Sequence, residues 1–218
     1  MKRIVISYAQ RLSNLGWLVV GLILIAAPFS KTAVAAEVGN PAITVLVFNF
    51  RQVPAETMVK AENEAGRIFE HAGVHVTWRD CPTGDEPCQK GPGRVLILEM
   101  MADQVLDKSM DSVAGYAILS DHLAVVRYDY LPHISDGQSN SSDRARILGC
   151  IIAHEIGHLL LGPHRHSIYG IMRAHWSEEQ TRRALMSQLT FLPEEAKLMQ
   201  RAEQTGEQHP DAIALTSH

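Results

Sequence analysis

Residues 143–162, DRARILGCIIAHEIGHLLLG, read as one helix that is too apolar to lie on a surface. Ile147, Cys150, Ile151, Ile156, Leu159 and Leu160 recur on more than one face, so no wide polar stripe remains. Such a helix forms the centre of a core, and other elements must cover it. Yet it carries His154, Glu155 and His158. Buried ionisable groups are costly unless something partners them. The fold has to enclose this helix and also satisfy three titratable side chains.

Material to enclose it precedes it. ITVLVFNF (Ile43–Phe50) is a β-rich apolar run and predicts a buried strand. Pro54 then suits a first helical turn, and Met58, Ala61, Ala65, Ile68 and Phe69 recur at helical spacing until Gly73 stops them. Further strands are expected at Val74–Asp80, Arg94–Met101, Gly115–Leu119 and His122–Leu131. After the apolar helix, Ser177 with Gln180 forms a capping-box pattern. Pro193 with Glu194 and Glu195 opens a last helix. The fold class expected is α+β: a mixed, twisted sheet of about five strands on a long helix, with C-terminal helices.

Charge is unevenly spread. The 218 residues carry a net −4, but residues 1–36 hold Lys2, Arg3, Arg11 and Lys31 and no acid. An apolar run from Leu15 to Ala27 follows the basic start, and Ala33–Ala36 supply small residues. That is the pattern of a secretory signal peptide, so the domain is expected at 37–218 with a net charge of −8. The protein is then expected to be secreted or periplasmic and monomeric, with no stable membrane insertion after cleavage. A retained N-terminal anchor is the alternative. The acidic balance gives no footprint for nucleic acid. Export also permits disulfides. Cys81 and Cys88 flank PTGDEP and could close that loop, whereas Cys150 sits in the apolar helix as a buried thiol.

The chemistry lies in AHEIGHLLLG. His154 and His158, at i and i+4, share one helix face and can share one metal ion. Glu155 lies next in the turn, where it can act as general base on a water. Gly162 can end the helix in the left-handed conformation. His164 and His166 follow in PHRHS, then Gly170, Ile171 and Met172.

A helix with two histidines, a glycine turn, a third histidine and a methionine turn resembles the metzincin clan of zinc peptidases. The chain departs from the clan pattern in one place: Leu161 occupies the glycine position and Gly162 comes one residue late. His164 has the strict third-ligand spacing, and His166 stands two residues further, in the His-Ser context. The stretch HEIGHLLLG…HS…GIMRAHW also resembles a group of exported bacterial proteins in which the histidine before serine is constant. That resemblance implies Zn²⁺ held by His154, His158 and His166, with His164 as the alternative third ligand. It implies Glu155 as general base and Met172 as an apolar floor rather than a ligand. Strands four and five would form an edge for an extended peptide.

Other residues are candidate ligands or substrate contacts. His122, His133 and His175 each read as surface histidines. Glu178 and Glu179 suit a helix start, although either could be a downstream third ligand as in other H-E-x-x-H clans. Tyr128 and Tyr130 lie near a strand end and could reach a developing oxyanion, but rim packing is the plainer reading. Asp136 and Asp143 lack the spacing of a calcium loop. The expected function is an exported zinc-dependent endopeptidase acting on a peptide or protein substrate. The alternative is a catalytically inactive zinc-binding envelope or interaction protein on the same fold.

Overall fold

The structure is a computed structural model and describes residues 43–101, 113–131, 140–163 and 165–205. The expected signal peptide, residues 1–36, lies outside the described residues, as do His133, Asp136 and His164. Among the described residues, no helix is long and apolar enough to cross a membrane.

Five strands form one sheet: β1 (Ile43–Phe48), β2 (Val76–Cys81), β3 (Arg94–Met101), β4 (Gly115–Ile118) and β5 (Leu123–Arg127). Their order is β2-β1-β3-β5-β4. β1 runs parallel to β2 and β3, and β3 runs parallel to β5. Only β4 and β5 are antiparallel. Parallel neighbours cannot be joined by a tight turn, so a long connection must cross between them. Helix α1 (Ala55–His71) is that connection from β1 to β2.

Alternation decides which face the helices cover. Val45 and Val47 of β1, Leu96 and Leu98 of β3, and Ala124 and Val126 of β5 all join one core. Ala61, Ala65 and Ile68 of α1 enter it from above, with Ile152 and Ile156 of α2 (Ser141–Leu161). Each fully enclosed Leu or Ile side chain contributes about 1.5–3 kcal/mol. The two helices approach closely at Gly149, where a Cβ would stand 2.6 Å from the Ala61 carbonyl oxygen.

α2 begins two residues earlier than Asp143, because the Asn140 side chain accepts a hydrogen bond from the Asp143 N–H at 2.9 Å and caps the helix. It ends at Gly162, whose N–H reaches the His158 carbonyl at 3.0 Å. Gly162 differs from the expected left-handed cap: at φ 91° and ψ −179° it is extended with positive φ, a region essentially open only to glycine. α3 (Glu178–Leu185) carries the expected capping box of Ser177 and Gln180, and α4 (Pro193–Thr205) follows. Cys81 and Cys88 are joined as a disulfide with Cα atoms 5.3 Å apart, and Cys150 is a buried free thiol.

Strands four and five form the pair at one side of the sheet, with β5 interior, between β3 and β4. The antiparallel hairpin leaves β4 alone at that border of the described sheet. The fifth strand ends at Arg127, and Tyr128–Tyr130 form a short 3₁₀ turn.

Candidate metal centre

Three imidazoles converge in the fold. His154 and His158 come from α2, and His166 comes from the irregular segment after Gly162. One ring nitrogen from each lies within 4.8 Å of the others. The His154 and His158 rings stand edge-on, with centroids 4.8 Å apart. His166 lies 4.8 Å from His158 and 5.6 Å from His154, centroid to centroid. The Nε2 atoms of His154 and His158 are 3.1 Å apart. Two nitrogens on a tetrahedral zinc ion, each at about 2.0–2.1 Å, would be about 3.3 Å apart. The pair already has close to that spacing.

Hydrogen bonding settles which nitrogen of His154 is available. Its Nδ1 lies 2.7 Å from the Ile171 carbonyl, which can only accept, so Nδ1–H donates and Nε2 keeps its lone pair. Ligating histidines characteristically donate their second nitrogen in this way. The same carbonyl accepts the Trp176 indole N–H at 3.2 Å. Burial supplies the charge state. It lowers His154 to about 4 and His158 to about 3, the neighbouring imidazoles adding to the effect. Both rings are neutral at physiological pH, the form that binds a cation. His154 is buried, His158 half-buried and His166 exposed, so the group opens to solvent on the His166 side.

Glu155 is enclosed, and burial pushes its carboxyl up to about 8. Its side chain packs on the edge strand. A Cβ at Gly115 of β4 would fall 2.9 Å from Glu155 Oε1, so the absence of a side chain there makes room for the carboxyl group. Met172 is fully buried, and its sulfur occupies the space that a Cβ on Gly157 would need, at 2.7 Å. It packs on α2 between the turns that bear the two histidines and does not belong to the ligand group.

Among the described residues, the other candidates are not brought to the triad. His122 sits in the β4–β5 turn with φ 53°, and His175 is exposed; neither joins the group. Glu178 and Glu179 occupy the first turn of α3, where Glu179 pairs with Arg182. Asp143 pairs with Arg146 on α2 at 3.0 Å. Tyr130 lies under the Arg127 guanidinium, 5.5 Å from its ring centre. Sequence reading missed Gly115, Ser167, Trp176 and Glu195 as supports of the site. Their contacts are long-range or run through the backbone, so the local patterns that contain Ser167, Trp176 and Glu195 do not show what they hold.

No protein-family model and no curated protein matches the chain. Solved structures do. A zinc-dependent peptidase from Methanocorpusculum labreanum aligns with a TM-score of 0.51 at 16% identity, covering 72% of this chain and 98% of that one. Archaemetzincin from Methanopyrus kandleri aligns at 0.48 and 14%, covering 74% and 94%. Archaemetzincin from Archaeoglobus fulgidus, complexed with malonate, aligns at 0.46 and 19%, covering 72% and 98%. At such identity, it is the fold of the first that bears on this chain. The fold is zincin-like: a mixed five-stranded sheet packed against a long helix that presents two of three converging imidazoles.

Proposed function

We propose that the chain is an exported zinc-dependent endopeptidase. The observation that carries this reading is the convergence of His154, His158 and His166, with the first two neutral and spaced to share an ion, beside the enclosed carboxyl of Glu155. The donor set is three imidazoles, which suits zinc and leaves a coordination position free. The structural likeness to a zinc-dependent peptidase supports the same choice.

His154, His158 and His166 would hold the ion. Bound zinc supplies Lewis-acid chemistry, polarising a carbonyl and acidifying water. The chain's own residues do the rest. Glu155 takes the proton from the attacking water and delivers it to the departing amine. Its enclosed position raises its proton affinity towards the working pH, and a cation beside it favours the ionised form that accepts the proton. Ile171 holds His154 in the correct tautomer. The border strand β4 can receive an extended peptide as a further strand, which would lie next to the Glu155 carboxyl. Peptides and proteins are thus the substrate class. Residues 1–36 act as a signal peptide, placing the enzyme outside the cytoplasm or in the periplasm; the mass of the exported protein checks this.

The test is metal content with cleavage of a mixed peptide library. Wild type should hold one zinc and cleave; Glu155→Gln should hold zinc and not cleave. His166→Ala should lose stoichiometric zinc, and His164→Ala should retain it. If wild type and Glu155→Gln both hold zinc and neither cleaves any peptide, the chain is a zinc-binding protein without peptidase activity.

A further inference from the structure

His166 is the one member of the triad that no helix holds. It lies in the irregular segment between Gly162 and α3 and is exposed. Its neighbour Ser167 is tied on two sides. The Ser167 backbone N–H donates to the Met172 carbonyl at 2.9 Å. The Ser167 hydroxyl donates to Oε1 of Glu195, on α4. Glu195 is only 6% exposed, unusual for a carboxylate in a first helical turn. Its Oε2 accepts the Leu192 N–H at 2.7 Å, capping its own helix. One oxygen thus serves α4, and the other reaches back 28 residues to the ligand-bearing segment.

We infer that Ser167 and Glu195 are positioning residues of the metal centre, a clamp that fixes His166 relative to α2. The inference rests on the zinc reading above. Two ligands on one helix are preset by helix geometry. The third depends on its segment, and any fraction of molecules with that segment displaced lowers the apparent affinity in proportion. A buried carboxylate bonded to the adjacent hydroxyl restricts that displacement. Supports of this kind typically contribute 10–100-fold in metal affinity.

The clamp is tested by zinc competition against a chromophoric chelator, together with thermal unfolding of the metal-free protein, on the full chain. Ser167→Ala should weaken zinc binding by about 10–100-fold, and Ser167→Thr, which keeps the hydroxyl, should restore most of it. Glu195→Gln should weaken binding too, and the Ser167→Ala/Glu195→Gln double variant no more than the worse single one. Met199→Ala supplies the structural control: Met199 is a buried α4 residue without a polar role, so its loss should lower the melting temperature and leave zinc affinity within about threefold. Unchanged affinity in Ser167→Ala overturns the clamp, as does equal weakening in Met199→Ala. Tight zinc binding by wild type with an unaffected Ser167→Ala sinks the clamp alone. Absence of zinc binding in wild type removes both the clamp and the zinc reading.

Discussion

Glu155→Gln in the metal-free protein should change how stability responds to pH, with a sign that follows from burial. Glu155 titrates near 8 in the fold against an ordinary value of 4.5. The folded chain therefore keeps a proton that the unfolded chain releases. This contribution is complete below about pH 4.5 and is lost as pH rises through about 8. One pKa unit corresponds to about 1.36 kcal/mol, so between pH 6.5 and 8 the wild type should lose roughly 2 kcal/mol through this group. The histidines act in the opposite sense. His154 falls to about 4 and His158 to about 3 from 6.5, so their contribution is complete above pH 6.5 and is lost as pH falls. Considering Glu155 and these two histidines alone, the opposing contributions balance near pH 6.5. Glutamine does not titrate, so the variant should keep the acid limb and lose the Glu155 share of the alkaline one. Burial also lifts Glu62 to about 7, with Asp80 adding to it, but Glu62 is present in both proteins and cancels in their difference. Urea unfolding across pH 5–8.5 with chelator present measures both curves. If the two run parallel between pH 6.5 and 8, Glu155 is not enclosed as described and the argument for its raised proton affinity fails.

Two further substitutions probe the scaffold. Gly149→Ala gains about 1 kcal/mol of helix propensity, but its Cβ would meet the Ala61 carbonyl at 2.6 Å and Glu64 Cβ at 2.7 Å. Overpacking of this kind costs about 1–3 kcal/mol, more because backbone must move, so denaturant unfolding should show a net loss; a gain would refute the close helix crossing. Cys81→Ser with Cys88→Ser opens a loop of sequence separation 7 and should cost about 2 kcal/mol by chain entropy, read as a lower melting temperature under oxidising conditions only.

Much of the fold is legible because local signals and burial agree. The run ITVLVF is hydrophobic and β-branched, and it becomes a strand inside the sheet. The α1 periodicity, the Ser177–Gln180 capping box and Pro193 all mark ends that appear where expected. Boundaries shift where a side chain outside the pattern intervenes, as Asn140 does at the start of α2. Strand order is another matter. His122–Leu131 reads as an apolar run whether its strand lies at an edge or inside, so its interior place between β3 and β4 could not be read from it.

The same division runs through the site. Sequence alone determined that His154 and His158 share a helix face with Glu155 next to them, because helical period is a local property. It also determined that their surroundings are apolar, hence that they need a partner. Only the tertiary structure decided that His166 reaches them, that Gly115 makes room for Glu155, and that the Ile171 carbonyl orients His154. Those contacts join segments whose separation along the chain carries no periodic signal. They arise from how the sheet, α2 and α4 pack, and packing is settled by the whole chain at once.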